Sequence, residues 1–65
     1  MEKEEFREQW KRASSPTTVN LNNKAFFIVD NFSFFEDKEG RTWVELRLRH
    51  YWIGRCYLSD VIEVS

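Results

Sequence analysis

The sequence predicts one domain over residues 1–65 that is mostly β with one N-terminal α-helix. Residues 1–13 contain strong helix formers and no Gly, Pro or β-branched residue. From residue 17 onward the apolar residues recur in short alternating runs, which is typical of strands. Bent antiparallel strands in so short a chain predict a small five-stranded sheet or barrel over residues 17–64.

The predicted helix has a narrow apolar stripe. Phe6, Trp10 and Ala13 recur at helical spacing, so they share one face that can dock on a sheet or on a neighbouring subunit. Pro16 disfavours helical geometry at Ser15 and therefore ends the helix.

The middle of the chain predicts a bend followed by a hairpin. Two apolar pairs of the segment AFFIVDNFSFF have opposite parity. The pairs are Phe27 with Val29 and Phe32 with Phe34. A β-bulge at residues 30–31 would bend the strand and turn both pairs towards one core. The following EDKEG segment predicts a tight turn with Gly40 at the position of positive φ.

Residues 41–52, RTWVELRLRHYW, predict a single strand with two different faces. The positions that would face the core are apolar: Val44, Leu46 and Leu48. The positions on the other face are cationic or aromatic, with Glu45 as the one acid: Trp43, Arg47, Arg49 and Tyr51. The closing segment, RCYLSDVIEVS, predicts two more strands around a short turn at residues 59–60.

Composition excludes several classes of protein. With Cys56 as the single cysteine, no internal disulfide can form, and His50 and Cys56 are too few soft ligands for a zinc site. The sequence has no nucleophile with a base and no glycine-rich phosphate loop, so it predicts neither an enzyme nor a cofactor. It has no apolar run that could cross a membrane, and one lone thiol without an export signal predicts a cytoplasmic protein.

The order of these elements resembles the Sm-like fold, in particular the family of the bacterial RNA chaperone Hfq. The residues that carry the resemblance are Phe6, Trp10, Pro16, Val19, Leu21 and Asn23 in the first half and Tyr57, Val61 and Val64 in the last two strands. An SH3-like barrel is the alternative, because a strand, a short turn and a strand end both kinds of fold.

The resemblance implies a homo-oligomer. Sm-like subunits form rings by pairing the fourth strand of one subunit with the fifth strand of the next. The corresponding interface residues here would be Arg55, Tyr57, Val61 and Val64. Assembly would also enlarge a small core, since a chain of this size buries only about 60% of its unfolded surface.

The cationic and aromatic positions of residues 41–52 are the candidate ligand site. Trp43, Arg47, Arg49 and Tyr51 would project to one side, where arginine can bind phosphate and aromatic rings can stack on bases. This surface predicts binding of single-stranded RNA or a nucleotide. In the alternative interpretation the two aromatic residues cover the helix, and the two arginines pair with helix acids such as Glu4 and Glu8.

Two functions therefore remain open. The first is an Sm-like oligomer that binds RNA or a nucleotide. The second is a protein-interaction module, such as an inhibitor or adaptor of a host protein encoded by a phage or plasmid. The near-neutral net charge of −1 favours the second function, and the local cluster of arginines favours the first.

Overall fold

The computed structural model describes all residues 1–65 as a helix followed by six strands. In chain order the elements are α1 (Lys3–Arg12), β1 (Thr17–Leu21), β2 (Phe26–Val29), β3 (Asn31–Glu36), β4 (Thr42–Leu48), β5 (Tyr51–Tyr57), a 3₁₀ turn (Leu58–Asp60) and β6 (Val61–Val64). The predicted mostly β chain with one N-terminal helix is confirmed. The single α-helix has ten residues, which is too short to span a membrane.

The strands form two antiparallel sheets of three strands each. The first sheet has the order β2-β1-β6, and the second has the order β3-β4-β5. The two sheets share no strand, so they do not form a closed barrel. The predictions of a closed barrel and of five strands were therefore wrong, although the antiparallel pairing was right.

The extra strand arises from a sharp corner at Asp30. This residue separates β2 from β3, so one predicted bent strand is divided between the two sheets. The Asp30 N–H donates to the Arg47 carbonyl at 2.9 Å. The Asp30 carboxylate accepts the Arg49 N–H at 3.0 and 3.1 Å from its two oxygens. The bend predicted at residues 30–31 is thus confirmed, but it separates two strands of different sheets instead of forming a β-bulge within one strand. Hydrogen bonds to the end of β4 hold it.

The core lies between the two sheets and is closed by α1. Ten buried apolar residues form one cluster, which includes Phe6 from α1, Val19 from the first sheet and Leu46 from the second sheet. Both apolar pairs around the corner contribute, as predicted: Val29 is buried, and Phe27, Phe32 and Phe34 pack against the cluster.

The helix docks on the second sheet through four aromatic rings. The Phe6 ring lies 4.8 Å from the Phe32 ring and 5.4 Å from the Phe34 ring, both in edge-to-face geometry. The Trp10 ring lies 4.6 Å from Phe32. Edge-to-face contacts of this kind stabilise aromatic clusters beyond the area they bury. The helix stripe is therefore covered by β3, and the interpretation that Trp43 and Tyr51 cover it is wrong.

Two hairpins shape the second sheet. Gly40 has the predicted positive φ, 79°, in the turn between β3 and β4. A second turn, which the sequence did not predict, interrupts residues 41–52: β4 ends at Leu48 and β5 begins at Tyr51. Its two residues, Arg49 and His50, have φ values of 53° and 72°. Positive φ values are uncommon for residues other than glycine. The turn also lacks the Asn-Gly or Asp-Gly pair that usually indicates a two-residue hairpin, so the local sequence did not predict it.

A glycine allows the two sheets to approach each other. A Cβ placed on Gly54 in β5 would lie 3.0 Å from the Phe27 Cε1 atom, which belongs to β2 of the first sheet. The Phe27 ring thus occupies the space that a side chain at position 54 would take.

We expect Gly54→Val to lower the free energy of unfolding by about 1–3 kcal/mol, because the added methyl groups displace the Phe27 ring from the core. Urea unfolding followed by tryptophan fluorescence measures this change. In a double-mutant cycle, Gly54→Val with Phe27→Leu should lose less stability than the sum of the two single variants. Strict additivity would show that the ring and the glycine are not coupled.

Candidate functional site on the outer face of the second sheet

The structure divides the four predicted ligand-binding residues among different places. Trp43 and Arg47 lie on β4 and face away from the core. Arg49 lies in the turn after β4, and Tyr51 is paired with Leu48 on the face of β4 that turns towards the core. The prediction that all four residues share one side of one strand is wrong, because the turn at residues 49–50 reverses the chain between them.

The tryptophan that lies beside Arg47 is Trp52, which was not among the predicted residues. In the register of β4 with β5, Trp52 is the residue opposite Arg47, and the irregularity between Leu46 and Arg47 sets this pairing. Trp52 is 60% exposed, as part of an exposed apolar run with Tyr51 (76%) and Ile53 (38%).

Neither predicted arginine pairs with the helix. Arg47 Nη1 lies 3.1 Å from Glu45 Oε1 and 3.4 Å from Ser33 Oγ, both on the outer face of the second sheet. The Arg49 backbone N–H bonds to Asp30, whereas helix residue Glu8 pairs with Lys11 and Arg12. The interpretation that Arg47 and Arg49 pair with acids of α1 is therefore also wrong.

The outer face of the second sheet instead carries a row of three aromatic rings. The register places Phe35 of β3 opposite Trp43 of β4, and Trp43 opposite Tyr57 of β5. The Phe35 and Trp43 rings are nearly parallel, with an interplanar angle of 4° and centroids 5.9 Å apart. The Tyr57 ring lies 4.1 Å from Trp43. All three rings are partly exposed.

Two arginines lie over this row. The Arg55 guanidinium carbon is 4.9 Å from the centre of the Trp43 ring, and that of Arg41 is 5.1 Å from the centre of the Tyr57 ring. These distances are within the range of cation–π attraction. We call Phe35, Arg41, Trp43, Arg55 and Tyr57 together the aromatic–arginine face.

The two arginines differ in their ionic partners. Arg41 lies 3.5 Å from the Asp37 carboxylate and 3.3 Å from that of Glu39. Arg55 takes part in none of the six ion pairs of the structure, and its side chain is exposed. The Arg55 guanidinium is therefore stacked on a ring while its hydrogen-bond donors have no carboxylate partner.

Asp37 fixes the orientation of Trp43. Its carboxylate accepts the Trp43 indole N–H at 2.9 Å and the backbone N–H groups of Arg41 and Glu39 at 2.9 and 3.0 Å. The indole hydrogen bond contributes most to holding the pKa of Asp37 below its ordinary value of 3.8; the two backbone hydrogen bonds and the charge of Arg41 add to it, against the opposing effect of burial.

The four residues predicted for an oligomer interface also lie in different environments. Arg55 is exposed and Tyr57 partly exposed on β5, which is an edge strand of the second sheet. Val61 and Val64 are buried in the core, so their side chains are committed to the protomer itself. Only the backbone of these two valines can contribute to an interface.

The two remaining candidate groups, Cys56 and His50, lie in different environments. Burial and the nearby charge of Asp60 raise the pKa of the Cys56 thiol to about 11, so the thiol is protonated at neutral pH and unreactive. His50 is exposed in the turn after β4. No group of three or more His, Cys, Asp or Glu side chains is placed to hold a metal ion.

Part of the aromatic–arginine face could have been found in the sequence. Phe35 has the parity opposite to that of the core residue Phe34, and a tight turn at Gly40 sets it across from Trp43. Arg55 and Tyr57 could not be assigned in this way. Their register depends on the unpredicted turn at residues 49–50 and on the irregularity beside Arg47.

We expect the stability of the protein to fall as the pH drops below about 4, since protonation of Asp37 removes its advantage as a hydrogen-bond acceptor. The sign follows from the lowered pKa: the deprotonated carboxylate stabilises the folded state above its ordinary value of 3.8, and this stabilisation is lost as the pH falls through the lowered pKa. Urea unfolding at a series of pH values, compared with Asp37→Asn, measures it. An identical pH dependence in the variant would contradict this role.

The indole N–H resonance of Trp43 in a ¹H–¹⁵N NMR spectrum measures the same contact locally, whereas the fluorescence of the chain combines three tryptophans. Loss of the Asp37 hydrogen bond should change the environment of the indole in the folded variant at neutral pH, whereas Glu39→Gln in the same turn should leave it unchanged.

Similarity to known proteins adds nothing to this geometry. No protein-family model, curated protein or solved structure matches the chain.

Proposed function

We propose that the protein is a non-enzymatic binding protein whose aromatic–arginine face takes single-stranded RNA or a nucleotide. The observation that carries this proposal is Arg55, which is stacked on the Trp43 ring and forms no ion pair, since Glu45 on the opposite strand pairs with Arg47 instead. A guanidinium held in this way can donate two parallel hydrogen bonds to a phosphate while its plane stays against the ring.

The aromatic rings beside Trp43 would bind the base, as Arg55 would bind the phosphate. Phe35 and Tyr57 flank Trp43 in one row, so a base can stack beside a ring while its phosphate reaches Arg55 or Arg41. Stacking of a base on an aromatic side chain is tolerant of sequence and contributes about 1–3 kcal/mol per base. This arrangement favours single strands, since bases in a duplex are not free to stack on a protein surface.

We further propose that the chain is an Sm-like subunit of a cytoplasmic homo-oligomer, with an SH3-like arrangement of the two sheets as the alternative fold. The order of the strands supports this proposal if β2 and β3 are taken as the two halves of one strand bent at Asp30. Then β5 and β6 correspond to the fourth and fifth strands, and both are edge strands. Pairing β5 of one subunit with β6 of the next would cover both edges.

We expect Arg41→Gln combined with Arg55→Gln to weaken the binding of a short, fluorescently labelled single-stranded RNA by about tenfold or more, because two charged contacts to phosphate are lost. Fluorescence anisotropy titrations at several salt concentrations measure the affinity. For the wild type the affinity should fall steeply with salt, and the slope should be shallower for the double variant.

The matched control removes the same charge elsewhere. Lys11→Gln with Arg12→Gln alters two exposed cations of α1 that pair with Glu8 and are not part of the aromatic–arginine face. This control should bind RNA nearly as the wild type does. Equal losses in both double variants, or no RNA binding at low salt, would exclude the proposed site.

The second candidate function is a protein-interaction module, and the exposed apolar run at the start of β5 favours it. Tyr51, Trp52 and Ile53 are consecutive and exposed on an edge strand whose outer backbone groups are not paired within the chain. Exposed tryptophan and tyrosine beside arginine are typical of the residues that dominate binding energy between proteins. A partner of this kind fits a phage- or plasmid-encoded inhibitor or adaptor of a host protein.

We expect Trp52→Ser to remove capture of a specific protein from cytosolic lysate under this second function, because the buried anchor of the contact is lost. Affinity purification followed by mass spectrometry, and then binding of the purified partner, measures the effect. Arg41→Gln with Arg55→Gln should retain that partner. If instead these arginine substitutions abolish capture and a nuclease does too, the captured protein is bridged by RNA.

A further inference from the structure

The edge of β6 that faces away from β1 is occupied by a side chain of α1. Thr18 and Ser65 exchange two backbone hydrogen bonds, at 2.8 and 2.9 Å, so the backbone groups of Ser65 point towards β1. The backbone groups of the preceding residue, Val64, therefore point away from β1. The Val64 N–H donates to the Gln9 side-chain oxygen at 2.8 Å, across 55 residues of sequence.

Gln9 thus stands where a carbonyl group of another strand would stand. Its side chain is partly buried between α1 and the end of β6, and the Val64 side chain beside it is in the core. The next residues along the same edge are not covered in this way: Ile62 is 61% exposed, and Glu63 is exposed. At the other end of β6 the N-terminal ammonium group of Met1 lies 3.5 Å from the Val61 carbonyl, so the uncovered part of this edge is limited to the residues between Val61 and Val64.

We infer that Gln9 is an edge cap that a second copy of the chain must displace when its β5 pairs with β6. This inference rests on the proposed homo-oligomer and adds a control of its assembly. The incoming strand exchanges one side-chain hydrogen bond for a backbone hydrogen bond at Val64, so the number of hydrogen bonds at this atom is conserved. The freed glutamine side chain also regains rotational freedom.

The occupant is a second copy because the two edges are complementary. The β5 edge carries exposed Arg55, which is stacked on Trp43 and forms no ion pair with Glu45 opposite it, and the β6 edge carries exposed Glu63, which also forms no ion pair. Both edges also present exposed apolar side chains, Trp52 and Ile53 on β5 and Ile62 on β6. Opposite charges facing each other across paired strands stabilise the pairing, and like charges destabilise it.

The test compares two substitutions of Gln9 that differ in one property. Gln9→Met keeps the size and helix propensity of the side chain but removes the strong acceptor, whereas Gln9→Glu keeps an acceptor oxygen. Light scattering after size exclusion, over a range of concentrations, measures the dissociation constant of the oligomer. We expect Gln9→Met to assemble about fivefold more tightly than the wild type, since the competing hydrogen bond is gone, and Gln9→Glu to assemble like the wild type.

Hydrogen exchange of the Val64 amide supplies an independent reading. In dilute monomer the amide should be protected in the wild type and exposed in Gln9→Met, and assembly should protect it in both proteins. In the Gln9→Met background, Glu63→Arg should weaken assembly, and the further substitution Arg55→Glu should recover it.

The possible results separate the cap from the oligomer. If the wild type assembles but Gln9→Met assembles no more tightly, or if the Val64 amide of Gln9→Met is still exposed in its oligomer, the cap is refuted while the oligomer stands. If neither protein assembles at any concentration, the proposed oligomer and the cap are both refuted. Circular dichroism of the two Gln9 variants verifies that each has the secondary structure of the wild type.

Discussion

The burial of Phe6 is the contact on which the rest of the structure depends. Two three-stranded sheets that share no strand leave an open seam, and a core in such a seam is exposed to water unless another element covers it. The Phe6 side chain is fully buried in one cluster with residues of both sheets. Because its ring also meets Phe32 and Phe34 edge to face while the helix backbone lies beside β6, α1 is held in one place between these two strands. The helix therefore closes the core that the strands leave open.

The position of the helix has consequences for both sheet edges. Once α1 lies over β3, Gln9 reaches the outer edge of β6 and occupies the Val64 N–H. No comparable contact covers the start of β5, where three large apolar side chains remain exposed. An uncovered apolar edge strand invites pairing with another chain, and natural proteins usually protect such edges with charge, bulges or a covering element. This chain protects one edge in part and leaves the other available.

The aromatic–arginine face shows how side chains on the outside of a sheet can be organised without a pocket. Asp37 ties down the Trp43 indole, and this fixed ring then supports the Arg55 guanidinium. The turn before β4 therefore determines the orientation of a surface that lies on three strands. A ligand that meets this surface finds its rings and one free guanidinium already placed, which lowers the entropy lost on binding.

The sequence by itself determined the helix, the corner at residues 30–31, the hairpin at Gly40 and the parity of most core residues, since these depend on local propensity and on alternation along one strand. Tertiary structure alone decided which side chains share the outer face. Arg49 and His50 form a turn without glycine or asparagine, and the Asp30 carboxylate, 19 residues away in the chain, holds the Arg49 N–H. No local signal marks a turn that is stabilised by a distant acceptor. A missed turn reverses the chain and changes the register of every residue after it. Trp43 and Arg47 precede the turn, and the sequence placed them on the correct face. Arg49, Tyr51 and the position of Arg55 over Trp43 depend on the turn, and the sequence did not place them correctly.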